Sequence, residues 1–224
     1  MAETPQEWYA RARAAIETDG YRHTQLEEWS SWPWTGELTP KPLDPPAEAE
    51  PERHGAGGVD CHTCRAAGEL DPGYVVWHDD GWMLGLPLEP RAVPFALFLM
   101  PRRHADLQDL TPAEAARQGE LLTALEQAAC AALAVPRIQV ARWGDGSEHL
   151  HWWLYARPAG MLQLRGTFLS HWDELLPPVP ADRFRADQLR VVDELVRRVG
   201  GRRTGEGKGS GGSAGLEGRT PVRE

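Results

Sequence analysis

The sequence predicts an α+β fold, and three observations carry the prediction. Short apolar segments lie close together between residues 74 and 156. One long, well-capped helix signal interrupts them at Thr111. Turn residues, not crossover helices, join most of the others, which favours antiparallel pairing. The chain has 224 residues, of which 41% are hydrophobic, enough for one main domain with its own core and some additions.

The elements follow in order. Thr4 can cap a helix over residues 4–18, with Pro5 in the first turn and Trp8, Ala12 and Ile16 on one face. Residues 28–58 are different material: Trp29, Trp32 and Trp34, a Pro/Glu/Ala-rich run, then Gly55-Ala56-Gly57-Gly58. That composition builds no core alone, so an extended arm is expected, laying its tryptophans on the main domain. The pattern becomes globular at Val59. Residues 74–77 and 82–86 read as strands joined by the Asp79-Asp80-Gly81 turn, and residues 95–100 as a continuous apolar strand ending at Pro101. Thr111-Pro112-Ala113-Glu114 has capping-box spacing and starts a helix to about Leu133. Strands are expected over residues 138–143 and 149–156, separated by Gly144-Asp145-Gly146. A last helix runs from Asp182 to about Val199, and the glycine-rich residues 200–224 are expected to be disordered. The chain thus divides into an N-terminal helix and arm (1–58), a main domain (59–180), a C-terminal helix (181–199) and a tail (200–224).

Composition excludes several classes. A net charge of -9 argues against a general nucleic-acid binder that neutralises phosphates. Three cysteines, two of them in a C-x-x-C, argue against a secreted disulfide framework. No segment approaches the ~20 apolar residues of a membrane span. The start, Met-Ala-Glu-Thr-Pro-Gln-Glu, lacks the regions of a signal peptide, so a cytoplasmic protein is expected.

Cys61 and Cys64 could reach one metal ion from a single tight turn, or form a redox pair. A metal site needs two more ligands. Among the eight histidines, His104 and His149 sit at the ends of predicted strands, where a ring can be aimed at a shared ion. Two thiolates and two imidazoles would close a tetrahedral, structural zinc site. In the strand starting at His149, alternation puts His149, His151, Trp153 and Tyr155 on one face. Two imidazoles beside a glycine loop suit phosphate chemistry, with His151 as the nucleophile; a solvated strand face is the bland alternative.

Gly146-Ser147-Glu148-His149-Leu150-His151-Trp152-Trp153 resembles the histidine-triad (HIT) signature, in which histidines alternate with apolar residues. Cys61-x-x-Cys64, the 74–86 hairpin, Leu-Phe-Leu-Met-Pro-Arg-Arg-His104 and Asp109-Leu110-Thr111 are similar to further family segments, in order, over residues 59–160. The resemblance is to the zinc-containing branch related to galactose-1-phosphate uridylyltransferases. It implies a HIT-like antiparallel sheet with a long helix, zinc on Cys61, Cys64, His104 and His149, and His151 as the residue that takes a nucleotidyl group. It also implies a nucleotide or nucleotide conjugate as partner, and a homodimer, since family members often pair.

The third triad position departs from the pattern. It holds Trp153 where family members have histidine or glutamine; an indole N–H can donate but shuttles no proton. The loop departs too, with Gly146 at the usual polar position and Ser147 one place late. Glu148, Tyr155 or Arg157 could supply the missing proton transfer. Arg142 and Arg157 flank the strand as candidate phosphate clamps, and Trp153 and Ser147 as further substrate contacts. Asp79 and Asp80 fit the turn, His171 a short helix, and Cys130 a small buried position. The leading expectation is a nucleotidyl hydrolase or transferase. A non-catalytic zinc-stabilised binding module and a C-x-x-C thiol oxidoreductase are the alternatives.

Overall fold

A computed structural model describes residues 3–21, 30–36 and 39–205. Trp29, His23 and the tail beyond residue 205 lie outside the described residues. The chain forms two units, residues 1–52 and residues 53–224.

In the first unit, helix α1 spans Pro5–Asp19. Its start obeys the sequence signal: the Thr4 hydroxyl accepts from the Glu7 amide, and the Glu7 carboxylate accepts from the Thr4 amide at 2.8 Å. None of its residues is buried. The arm folds back within the unit, where the Tyr21 hydroxyl donates to the Lys41 carbonyl at 2.8 Å and Trp32 meets Trp34 edge to face at 5.0 Å.

The second unit is the expected α+β fold. Strands β1 (Val75–His78), β2 (Trp82–Gly85), β3 (Phe95–Pro101), β4 (Gln139–Ala141), β5 (Trp152–Ala156) and β6 (Arg202–Arg203) form one sheet in the order β4-β5-β3-β2-β1-β6. Every pairing is antiparallel. The remaining helices are α2 (His62–Glu69), α3 (Pro112–Ala132), α4 (Leu169–Leu175) and α5 (Ala181–Val199). Thr111 caps α3 through the expected reciprocal bonds with Glu114.

Strand alternation explains the layers. Phe95, Leu97 and Leu99 join Leu154, Leu121, Leu125 and the α5 residues Val191, Val192 and Leu195 in the main core. Trp152, on the same face, donates its indole N–H to Gln118 of α3 at 2.9 Å. On the opposite face, Met83 and Met100 pack with Ala66 and Ala67 of α2. Phe98 lies there too, paired in register with Trp153. Among the described residues, no helix is long and apolar enough to cross a membrane.

Four boundaries differ from the sequence expectation. The main unit begins at Arg53, not Val59, because Arg53 and His54 bond into it: His54 donates its amide to the Gly146 carbonyl at 2.8 Å. Helix α5 is a core layer of this unit, not an appendage. Its fully buried Gln188 donates to the Pro94 carbonyl at 3.0 Å and accepts from the Ala96 amide at 3.2 Å. The tail is structured further than expected, since Arg202 and Arg203 pair with His78 and Trp77. Finally, β5 starts at Trp152. His149 and Leu150 precede it in an irregular segment, held because Leu150 donates its amide to the Ala105 carbonyl at 2.8 Å instead of entering a ladder.

The edge strand β6 is fixed by one close approach. The Trp77 indole N–H donates to the Gly200 carbonyl at 3.1 Å, and a Cβ at Gly201 would lie 2.5 Å from the Trp77 ring. Gly201 also has φ +80. Gly201→Ala is therefore expected to cost about 1–3 kcal/mol through overpacking and the positive φ, read as a lower denaturant midpoint. An unchanged midpoint would show that β6 contributes nothing to stability.

Candidate metal centre and catalytic cavity

The Cys-x-x-Cys pair sits on a helix start, not on a bare turn. Cys61 is the N-cap of α2, and its sulfur accepts from the Cys64 amide at 3.5 Å. A helix N-terminus favours negative charge, which suits two thiolates. β3 ends at Pro101 and the chain delivers His104 three residues later. His149 arrives from the segment before β5 and is fully buried.

These four side chains converge. Their donor atoms all lie within 4.8 Å of one another. His149 Nδ1 is 3.4 Å from Cys61 Sγ and 3.6 Å from Cys64 Sγ, and His104 Nδ1 is 3.4 Å from Cys64 Sγ. Tetrahedral coordination at ordinary Zn–S and Zn–N bond lengths requires S···N separations of about 3.5 Å. The opposite ring nitrogens are also committed. His149 Nε2 lies 2.8 Å from the Pro101 carbonyl, and His104 Nε2 lies 3.1 Å from Glu148 Oε1. With both Nε2 atoms donating, both Nδ1 lone pairs turn inward, which is how outer partners orient imidazole ligands. Burial, the largest cause, pushes the His149 pKa down to about 4, so the ring is neutral and able to ligate. Burial, then the hydrogen bond and charge of Cys61, hold the Cys64 thiol up at about 11; a bound cation reverses that preference. The residues present fit a divalent ion with soft ligands.

A supporting shell surrounds the centre, and the sequence reading missed it. The Gly57 amide donates to Glu148 Oε1 at 3.0 Å, and Arg53 bonds Asp106 at 2.6 Å. Gly55, at φ +75, packs where a Cβ would lie 3.2 Å from Cys61 Cβ. The glycine run expected as the end of the arm thus forms part of the wall of the centre. Burial opposes ionisation of Asp106, yet Arg53, the Leu107 amide and Arg142 together hold its pKa below the usual carboxylate range.

Next to the centre lies a cavity of about 420 Å³ lined by His151, just before β5, and Trp153 and Tyr155 of β5, together with Arg91, Ser147 and His171. Alternation therefore holds for three of the four residues expected on one face; His149 turns to the cysteines instead. His151 Nδ1 lies 2.9 Å from the carbonyl oxygen of His149. Trp153 is held in an aromatic cluster, edge-on to Phe98 at 4.5 Å and Trp143 at 5.7 Å, and stacked on Tyr155 at 5.8 Å.

Other expected contacts are placed elsewhere. Arg142 is ion-paired with Asp106, and Arg157 donates to the Pro158 carbonyl at 3.1 Å; neither lines the cavity. Glu148 supports His104 and Arg53. Asp79 closes its turn by accepting from the Gly81 and Trp82 amides and also pairs with Arg117. Cys130 is exposed, contrary to expectation, because α3 turns that position away from α5 and the sheet.

The cavity's cation is Arg91, in a loop before β3. It is set by buried Asp173 of α4, which accepts from Arg91 Nε at 2.5 Å and from the amides of Ala92 and Val93 at 2.8 and 3.1 Å. Nothing local in the sequence marks this pair, since 82 positions separate its members. Asp173→Ala would strand a half-buried guanidinium and two amides. The expected loss is about 3 kcal/mol or more, measured by denaturant unfolding; a loss under about 1 kcal/mol, the scale of an exposed pair, would show that the pair is not structural.

No family model matches the chain, and no curated protein matches it. Solved structures do. A hypothetical histidine triad nucleotide-binding protein from Sulfolobus tokodaii is 14% identical, over 62% of this chain and 97% of that one, with a TM-score of 0.47. The chain is similar to histidine triad proteins. A Zn-bound histidine triad family protein from Mycobacterium smegmatis is 20% identical, over 62% and 95%, with a TM-score of 0.45. A uridylyltransferase is 20% identical over 65% of this chain and 48% of that one, with a TM-score of 0.46.

Proposed function

We propose that this protein is a HIT-like nucleotide-binding enzyme, a nucleotidyl hydrolase or transferase in which His151 attacks the α-phosphorus of a nucleotide or nucleotide conjugate. The observation that carries the proposal is the bond between His151 Nδ1 and the His149 carbonyl. A carbonyl only accepts, so Nδ1 holds a proton, and in the neutral ring Nε2 is the nitrogen with the lone pair. The ring lines a cavity whose other walls offer an arginine for phosphate and aromatic faces for a base. Attack by Nε2 forms a P–N bond as the P–O bond to the leaving group breaks, and water or a second acceptor then displaces the imidazole from the covalent intermediate.

Cys61, Cys64, His104 and His149 would hold zinc. Bound there, the ion supplies a fixed cross-link with no open position for chemistry. Its ligand His149 also provides the carbonyl that sets the His151 tautomer, so the centre positions the nucleophile through one residue.

The test is to incubate the protein with a panel of nucleotides and nucleotide esters, quench it, and measure intact mass. The expected result is a nucleotidyl adduct on the His151 peptide, absent from His151→Ala. No adduct and no turnover across the panel would overturn the proposal.

A second reading is favoured by Trp153. A large indole packed between Phe98 and Tyr155 fills strand space beside His151 and carries no exchangeable acid. A zinc-stabilised binding module would use that surface for recognition alone. It predicts nucleotide binding without turnover and full biological activity in His151→Ala.

A further inference from the structure

We propose that His171 is a catalytic residue, the general acid–base that protonates the leaving group in the first step and deprotonates water in the second. The inference rests on the reading of His151 as nucleophile and goes beyond it by assigning the proton transfer to a different element.

Helix α4 forms part of the cavity wall, beside residues of β5, Arg91 and the loop before His149. Its inward side is fixed: Leu169 and Asp173 are buried, and Trp172 packs on the main core. Asp173 further ties the helix to the loop that carries Arg91. Helical geometry then turns Ser170, His171 and Glu174 the other way, and these three line the cavity shared with His151. His171 is exposed, with its ring 5.9 Å from that of Phe168. An anchored helix thus presents an imidazole to the space in which a substrate of His151 would sit.

The other groups around that space are poorer proton carriers. Trp153 has no acid–base chemistry, and Arg91 does not give up a proton. Carboxyl side chains are by type poorer proton donors near neutral pH than imidazole. The Tyr155 phenol is pushed well above its usual range, chiefly by burial, and so holds its proton. Imidazole alone exchanges its proton readily near neutral pH.

The steps balance. Nε2 of His151 forms the P–N bond as the phosphorus–oxygen bond to the leaving group breaks, and that oxygen takes a proton from the His171 imidazolium. Water then attacks phosphorus and gives a proton to His171. The electron pair of the P–N bond returns to His151, and both residues are restored.

The experiment compares two leaving groups. The full chain is assayed on methyl and 4-nitrophenyl esters of the four ribonucleoside 5′-monophosphates. A poor leaving group needs a proton and a good one does not. His171→Gln is therefore expected to slow formation of the His151 adduct from the methyl ester, read in a single turnover, by about 10²–10⁴-fold and to change adduct formation from the 4-nitrophenyl ester by less than about threefold. His171→Asn serves as a second variant, and melting temperature checks that each is folded. If both esters slow equally, or neither slows, while the His151 adduct still forms in the parent protein, the assignment of His171 is wrong and the nucleophile stands. If the parent protein forms no adduct with any ester, the nucleophile reading fails, and His171 fails with it.

Discussion

Cys61→Ser is expected to release the metal ion and lower the melting temperature by about 10–20 °C. Structural zinc sites in small peptides contribute about 10–16 kcal/mol of apparent binding free energy. This domain has a large core of its own, so part of that stabilisation is independent of the ion, and a loss of about 5 kcal/mol is a moderate expectation. In a unit of this size each kcal/mol moves the midpoint by about 2–4 °C. The loss has a local cause. Without the ion, His149 is a neutral ring in a fully buried position whose Nδ1 faces two sulfurs and no cation. A strong chelator should produce the same shift in the parent protein and none in the variant. A Cys61→Ser protein that retains one ion per chain and its melting temperature would rule out the four-ligand centre.

His151→Ala is expected to abolish turnover, by about 10⁴-fold or more, as loss of a covalent nucleophile does elsewhere. It should leave metal content unchanged, because His151 is outside the Cys61, Cys64, His104 and His149 cluster. Stability should move by about 1 kcal/mol or less, since the ring is only partly buried and packs loosely on Phe98 at 6.3 Å. The contrast between the two variants is the informative result: one loses the ion and the fold's rigidity, the other loses chemistry alone. Steady-state rates with metal analysis on the same samples decide it. Residual activity within tenfold of the parent protein would remove His151 from the mechanism.

The α+β class, the capped helices and the residues of the Cys61, Cys64, His104 and His149 cluster were legible because each rests on local signals. Capping residues, alternation and the Cys61-x-x-Cys64 spacing are properties of a few neighbouring positions. The placement of Arg91 was not legible, because it depends on Asp173, a partner far along the chain whose burial only the packed fold creates. Arg142 was misjudged for the same reason: strand order placed it near the site, but it pairs with Asp106 and does not line the cavity. The glycines at 55–58 read as the end of the arm because composition cannot distinguish a flexible joint from a backbone pressed against a cysteine. The C-terminal strand was missed because two arginines after a glycine pair carry no strand signal; the Trp77 indole and the open edge of β1 create it.

The bond that sets the His151 tautomer is received by a main-chain carbonyl. Every amino acid has that oxygen, so no side-chain replacement at position 149 deletes the acceptor itself. Substitution there removes a ligand and disturbs the path of the chain, but the proton's address on His151 is written in backbone geometry. A scan of point variants would therefore assign the orientation of the proposed nucleophile to no residue at all. Replacing the 149–150 peptide link by an ester weakens the carbonyl as an acceptor while keeping the ring, and it also removes the Leu150 amide that donates to the Ala105 carbonyl.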